Sequence, residues 1–561
     1  MPKKEGRTMY NLLDEKWMIG VTSKGQTEPA SIRDCFFEDF KNVKSPDFHG
    51  YHFYLYDYLA IRLLSTIAAD ILIYAAHESA DEYDESVEQV IIRELKRGCI
   101  TERFKRFAEK YFKQYHNRFE LLDDKHPFMQ VTKMKSDSKD KSMQLNPLAP
   151  ADSGRIFPES FHSTERVEII HGFFNKKEIG KKIQNCFVTT PQEAVYILTY
   201  QASIAPGVGA GNKSALAGNA YVFETLNGAS LYETILLNIP ITGYLLDDEE
   251  EPVDFGTPIW RWNSIEEKEG EILTKGKIKV LDGMFFPSKR IHLAYDGERV
   301  TVNDENIPKQ LGKLFDELRN LWAQKQEPQA LIAQAKNTDS KEKKNPYRKI
   351  LPGDTLWLLF AATAQTEQTT LQEKRGKKVV DVLQSAGASH HVQELSKTNV
   401  LPEVVEVRYY YRMASDKWVY FRNGCVDGKI PKPLLEEPVR QAYLRKMTEY
   451  IMKTKLSLRR CCKTYLANAS GSLSKDPSDD LCKRVDTAAY EKSFMDSIQD
   501  VFLGESSFLV EVCTSCDLDQ TYEKWKKKIK QKALEQFSKL MNQNRMEAFW
   551  HYYERLRKEC R

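Results

Sequence analysis

Residues 401–433 read LPEVVEVRYYYRMASDKWVYFRNGCVDGKIPKP, and the pattern changes across them. Val405, Val407, Tyr409 and Tyr411 fall at every second position, the period of a strand face, which predicts strand over 404–422. Pro431 and Pro433 close that region, because proline fixes its φ and offers no N–H to a ladder. Beyond them the periodicity becomes helical. Leu444, Met447, Ile451 and Leu458 sit at heptad-like positions, as do Leu534, Phe537 and Met541. A polar segment, 468–480, carries Gly471 and Pro477 and links two of these helices. Antiparallel helices with apolar stripes and short loops make a four-helix bundle. The chain is therefore read as α+β: a large mixed α/β N-terminal domain, 1–433, followed by a C-terminal helical bundle, 434–561.

Toward the N-terminus the pattern is mixed. Asn11–Val21 (NLLDEKWMIGV) has a turn-like centre between apolar flanks and predicts strand-turn-strand. Tyr51–Ala76 carries Leu55, Leu59, Leu63, Ile67 and Ile71 at spacing four. Asp57, Arg62 and Asp70 within it predict a buried helix and not a membrane span. Phe104, Phe107, Tyr111 and Tyr115 share a face of a further helix, expected to end near His126-Pro127-Phe128-Met129-Gln130. Residues 133–155 are polar and lysine-rich, as a mobile surface loop would be. Thr190–Ser203 reads as helix and runs into a glycine loop at 206–218. The stretch 251–305 reads as strands, including Ile291–Tyr295 before Asp296-Gly297, and Leu311, Leu314, Leu318 and Trp322 mark a helix after it.

A chain of 561 residues with 41% hydrophobic and 11% aromatic content can fill several cores, which argues against long-range disorder. The formal net charge is only +3, so nucleic-acid contact must come from local basic surfaces. Residues 431–561 hold 25 Lys plus Arg against 19 Asp plus Glu, while the remainder is net negative. The ten cysteines include Cys461-Cys462 and a single CxxC, Cys513 to Cys516. Without a second CxxC or a nearby His, the expectation is reduced thiols in a cytoplasmic protein, with no metal and no cofactor. The opening MPKKEGRTMY lacks the apolar core of a signal peptide.

The sharpest local signal is Pro206-Gly207-Val208-Gly209-Ala210-Gly211-Asn212-Lys213-Ser214, with Gly218 shortly after. Alternate glycines let backbone approach a ligand closely, and exposed N–H groups with Lys213 suit phosphates or base edges. Two other readings stay open here: a structural glycine turn, and a phosphate loop of the G-x-x-x-x-G-K-[ST] kind. Against the latter, Asn212 stands before Lys213, and helix precedes the loop where a strand is required. His126 reads as a packed core histidine, and consecutive His390-His391 suit chelation poorly. No nucleophile–base pair or carboxylate pair stands out, so no catalytic residue is assigned. Two basic clusters mark the bundle: Lys526, Lys527, Lys528 and Lys530, and Lys453, Lys455, Arg459, Arg460 and Lys463. They are solvated helix faces or a phosphate-tracking surface, with Lys526 and Lys530 on one face at spacing four.

In order along the chain, these marks resemble the large subunit of the type I-E CRISPR Cascade complex, the CasA family. They are N-L-L-x-x-x-W at Asn11–Trp17, H-P-F-M-Q at His126–Gln130, Asn185-Cys186-Phe187-Val188, and Pro206–Ser214 continuing to Leu236-Leu237-Asn238. Leu281-Asp282-Gly283-Met284-Phe285-Phe286-Pro287-Ser288-Lys289-Arg290-Ile291 and Tyr411-Arg412 before a loop complete the set. The resemblance implies a subunit that catalyses nothing and works with other Cascade subunits, crRNA, double-stranded target DNA and the CRISPR helicase-nuclease. It also implies roles: Asn185, Cys186 and Phe187 at the guide end, and Gly207, Gly209, Ala210, Gly211 and Lys213 at the minor groove beside the protospacer-adjacent motif. Met413, Ala414 and Ser415 would form the wedge that opens the duplex, and Lys453, Lys526 and Lys530 would meet DNA from the bundle. Two departures matter. Ala210 interrupts the glycine run, and Met413-Ala414-Ser415 stands where the family wedge can carry a glutamine. The competing readings are a P-loop-like nucleotide-binding enzyme and a helical scaffold protein without DNA binding.

Overall fold

The computed structural model describes residues 3–4, 7–8, 10–48, 52–79, 87–98, 100–132, 187–205, 213–240, 255–295, 297, 300–307, 309–322, 329–330, 370–375, 378–384, 392, 395, 400–414, 421–468, 478–504, 506–540 and 546–560. The chain divides into two compact units. The first comprises Met1–Leu351, Ser389–Val400 and Glu406–Asp427; the second comprises Pro352–Ala388, Leu401–Val405 and Gly428–Arg561. The architecture is α+β, with the helical bundle in the second unit.

The first unit is built around the helix Tyr54–Ser79. Leu55, Leu59, Leu63, Ile67 and Ile71 are buried, and so are Ile61, Leu64, Ala68 and Leu72 on its other sides. A helix apolar all round belongs in a core, and each such Leu or Ile contributes about 1.5–3 kcal/mol on full burial. It is long and apolar enough to cross a membrane, yet its apolar window is 89% buried within the protein. Asp57, Arg62 and Asp70 are all paired, as buried charge requires. Asp57 accepts from Ser45 N and Oγ at 2.7 and 2.9 Å, and Arg62 Nη1 donates to Tyr58 OH at 2.8 Å. Asp70 takes Arg261 Nη1 at 2.6 Å and the Tyr111 hydroxyl, which in turn accepts from Trp260 Nε1.

Three three-stranded sheets are formed wholly or mostly by strands of this unit. Met18–Thr22 lies between Thr27–Ala30 and Phe40–Lys44, antiparallel to both. Val300–Asn306 lies between Phe187–Thr189 and Lys289–Tyr295, again antiparallel. Val404–Ala414 lies between Val222–Asn227 and Phe421–Pro431. The expected first strand at Asn11 is only a single bridge to Glu120. The aromatic helix is Glu102–Tyr115; it stops there and gives way to the 3-10 turn His116–Phe119, well short of His126. The stretch 255–288 is not strand. It holds the 3-10 turn Ile259–Arg261 and the helices Ile265–Lys275 and Val280–Met284. The signals for Ile265–Lys275 were local: Ser264 caps Glu267 N, Glu266 and Glu267 fill the first turn, and Gly276 ends it at φ 64°.

Several of the ordered motifs turn out to fasten this unit together. Asn11 Nδ2 donates to Glu120 Oε1 and His116 O, both at 2.9 Å, and Trp17 Nε1 donates to Leu12 O. Gln130 Nε2 donates to Leu121 O, while its Oε1 accepts from Leu293 N at 2.7 Å, tying the H-P-F-M-Q segment to the Lys289–Tyr295 strand. Asn238 accepts from Leu226 N and donates to Leu226 O and Thr234 O.

In the second unit, Pro438–Ala467 packs against Ala488–Leu503, Leu518–Ser538 and Met546–Glu559, the four long helices of the bundle. Leu444, Met447, Ile451 and Leu458 are buried with Phe494, Ile498, Trp525, Ile529, Phe537 and Phe549. Phe537 stacks on Phe549 at 5.4 Å, and Tyr465 meets both edge-on. Leu534 is half-buried; Met541, the lysine-rich 133–155 stretch and His390-His391 lie outside the described residues.

Candidate nucleic-acid interface

The helix Pro191–Ser203 delivers the chain to the glycine loop. Thr190 caps its start through Glu193 N, and Ile204 closes its end with N–H to Tyr200 O at 2.9 Å. Residues 206–212, which include Gly207, Gly209, Ala210 and Gly211, lie outside the described residues, but both feet of the loop are defined. Ala215 N donates to Ala205 O at 2.8 Å, and Ala217 N to Ser203 O at 3.3 Å. A Cβ on Gly218 would stand 2.1 Å from Ala205 O, so the feet meet at a distance only glycine permits. Lys213 is half-buried, its Cε 3.7 Å from where Gly312 would carry a Cβ. Ser214 is buried, and its hydroxyl accepts from Arg319 Nη1 at 2.7 Å.

From the second foot the chain enters the strand Val222–Asn227. That strand pairs antiparallel with Val404–Ala414, and the pairing ends at Tyr411 opposite Val222. Arg412 N continues it, donating to Tyr221 O at 2.9 Å. Met413 and Ala414 continue the strand beyond its pairing with Val222–Asn227, at the end of that pairing where the feet of the glycine loop meet; Ser415 lies outside the described residues. Arg412 itself is buried. Its Nη1 donates to Ile204 O at 2.9 Å, Nη2 to Gly218 O at 2.5 Å and Nε to Ala220 O at 2.8 Å. Sequence reasoning assigned Arg412 no role of its own. Alternation put it on the face opposite Val405, Val407, Tyr409 and Tyr411. Tyr410, on that opposite face, is as buried as Tyr409, so an arginine between covered faces was the signal.

The other expected positions scatter. Asn185 and Cys186 lie outside the described residues; Phe187 begins the edge strand Phe187–Thr189, opposite Val302. Arg290, in the basic ending of the Leu281–Ile291 motif, is buried against Glu269. His126 is not a core residue: it is half-buried, with its Nδ1 3.0 Å from Arg118 Nη1.

The bundle lysines do not share one face. Lys526 is half-buried, 3.2 Å from Glu523 and over the Tyr450 and Tyr522 rings, while Lys528 sits 3.7 Å over Trp525. Arg459 and Arg460 pair with Glu491 and Glu559. Lys453 is exposed, with Glu449 at 3.8 Å. Lys527 and Lys530 instead line an open groove of about 550 Å³ with Tyr553 and Arg557. The sequence reading missed Arg557 because it comes from a different helix.

A phosphate loop requires strand, loop, then helix. Among the described residues a helix precedes the glycine run and a strand follows it, the reverse of that order, and the Ser214 hydroxyl is taken by Arg319. Burial pushes the thiols of Cys461 and Cys513 up to about 12, so both are protonated thiols here.

The family model for CRISPR-associated protein Cse1 matches residues 11–536. No curated protein matches the chain. Thermobifida fusca Cse1 is similar over 98% of this chain and 97% of its own, at TM-score 0.66 and 16% identity. For CasA from Thermus thermophilus the match covers 98% of this chain and 100% of the relative, at TM-score 0.60 and 16% identity. Cse1 from Acidimicrobium ferrooxidans covers 99% of each chain, at TM-score 0.59 and 15% identity.

Proposed function

The chain belongs to the Cse1 family of CRISPR-associated proteins, the large subunit of type I-E Cascade, and from that premise we propose that it inspects double-stranded DNA for a protospacer-adjacent motif. In this reading it is a non-catalytic, cytoplasmic subunit that binds other Cascade subunits and crRNA, helps open the duplex, and recruits the helicase-nuclease. It needs no cofactor. One observation carries the proposal: the strand ending in Met413-Ala414 and the strand leaving the glycine loop are antiparallel neighbours, so both segments emerge at one end of one sheet.

That arrangement suits the task. A glycine backbone enters the narrow minor groove, whose degenerate donor–acceptor pattern supports reading a short motif. An apolar residue beside it, Met413, unstacks a base step at the cost of a few kcal/mol. Identity of the target is then left to pairing with the guide. The test is to replace Gly207, Gly209 and Gly211 with valine and assemble the complex. Binding to a motif-bearing duplex is expected to fall at least about tenfold, while binding to a complementary single strand survives. Equal loss on both substrates would reject the assignment.

A further inference from the structure

We infer that Arg412 is a positioning residue that locks the two feet of the glycine loop to the strand end carrying Met413, so that the two segments act as one unit. The inference rests on the reading of those segments as the motif-inspecting and duplex-opening elements.

Three carbonyls receive its guanidinium, and all three flank the loop. Ile204 O lies just before it; Gly218 O and Ala220 O lie just after it. Ile204 caps the helix Pro191–Ser203, so its carbonyl belongs to the set a helix end leaves without a partner, at the negative end of the helix dipole. A buried cation there satisfies that oxygen and meets favourable charge at once. The side chain is 1% exposed and also lies 5.8 Å from the Phe223 ring centroid, in the strand that leaves the loop. Its main chain is held too, through Arg412 N to Tyr221 O. The next two residues are Met413 and Ala414.

The chemistry demands arginine. Five N–H groups in a fixed plane reach three separate carbonyls, whereas a lysine nitrogen gathers its three donors at one point. Lysine keeps the charge and much of the volume but cannot bridge both feet. Were Arg412 only filling space, lysine would change stability and nothing more specific. If it couples the two segments, lysine should separate their effects on DNA.

The experiment is a double-mutant cycle on the assembled complex, reading binding to a motif-bearing duplex. Gly209→Val and Met413→Gly are made singly and together, first with Arg412 and then with Arg412→Lys. With Arg412 present, the double variant is expected to depart from additivity by about fivefold. With lysine, additivity should hold within about twofold, and single-strand target binding should be retained. Non-additivity of the same size in both backgrounds, or in neither, overturns the inference while leaving the assignment of the two segments intact. Two single variants without effect on duplex binding would overturn both. Should Arg412→Lys fail to fold, amide exchange in the Met413→Gly protein alone decides. Protection at Ala215, Gly218 and Ala220 should fall severalfold, while that at Gly20 in the separate Met18–Thr22 strand stays fixed. Unchanged protection at the loop feet overturns the coupling.

Discussion

The Ser214 hydroxyl accepts a hydrogen bond from Arg319 Nη1 at 2.7 Å, and this pins the residue after Lys213 to the helix Lys309–Leu321. Ser214 is buried, so its oxygen would be costly to leave without a donor, by about 1–3 kcal/mol. Arg319→Met is expected to lower amide protection at Ala215 and Ala217 by about tenfold. Duplex binding by the assembled complex should weaken with it, and single-strand binding should not. If both amides keep their protection, the second foot is held by Ala205 O and Ser203 O alone.

Met413 is the last but one residue of its strand, and Arg412 before it is fixed on both main chain and side chain. A residue set on so firm a base is suited to unstacking a base pair. Replacing Met413, Ala414 and Ser415 with glycine should slow strand opening on linear DNA by about tenfold, with partial rescue by negative supercoiling, which supplies unwinding energy. Opening rates followed with a fluorescent base beside the motif give the answer; an unchanged rate places the wedge elsewhere.

Gly283 shows why one family-like motif reads as it does. A Cβ there would stand 2.2 Å from Trp322 Cζ3, and Trp322 is fully buried. Gly283→Ala must push an indole within a packed core, which costs about 1–3 kcal/mol. The variant should melt several degrees lower, yet bind DNA normally once assembled. A melting temperature equal to the parent's would mean that the Val280–Met284 helix shifts freely.

Those three cases show what the sequence could reveal and where it stopped. The fold class followed from period: spacing four marked Tyr54–Ser79, and heptad-like stripes marked the bundle. Asn11, Gln130 and Gly283 were visible as motif residues, but their partners, Glu120, Leu293 and Trp322, are set by tertiary contact and no periodicity carries them. The strands expected over 255–288 failed because helix caps at Ser264 and Gly276 outweighed a β-like composition. Arg412 was visible only as half of Tyr411-Arg412 before a loop, because covering of both strand faces, which buries it, is set by tertiary contact. Charge runs were the least legible, since a run fixes how many lysines exist and not which have neighbours.

His52 supplies a pH dependence. Its Nε2 lies 2.8 Å from Asp57 and its Nδ1 2.9 Å from Asp47. The hydrogen bond to Asp57, opposed by partial burial and aided by Asp47, raises its pKa above the ordinary value. A histidine raised on folding stabilises the fold fully below its unfolded pKa of about 6.5, and that contribution is lost as pH rises through the folded value. The protection factor of the Ser45 amide, which donates to Asp57, reports the cluster. The ratio of parent to His52→Gln protection should be larger at about pH 6 than at about pH 9. A ratio independent of pH would show that folding does not raise the His52 pKa.

The bundle cations divide into two groups, and salt should tell them apart. Lys526 and Lys528 lie over aromatic rings, with Lys526 also near Glu523, so their charge is already partly committed within the bundle. Lys527, Lys530 and Arg557 line a common groove with Glu535; Arg557 also pairs with Glu554 at 2.8 Å on its own helix, and a phosphate chain there would meet three cations from two helices. Each phosphate contact removed lowers the slope of log affinity against log salt by roughly 0.7–0.9. Replacing Lys527, Lys530 and Arg557 with glutamine should therefore flatten the slope by about 2 and weaken binding on all DNA sequences alike. Replacing Lys526 and Lys528 should leave the slope nearly unchanged and lower the bundle's melting temperature through lost cation–ring contacts. The preference for the correct motif should survive both changes, because phosphate contacts position a duplex without reading it. Salt titrations of the assembled complex on matched and motif-mutant duplexes, with a melting curve for each variant, measure all of these quantities. A slope that drops only for the Lys526 and Lys528 pair would reverse the assignment, and selective loss on the matched duplex would move motif reading into the bundle.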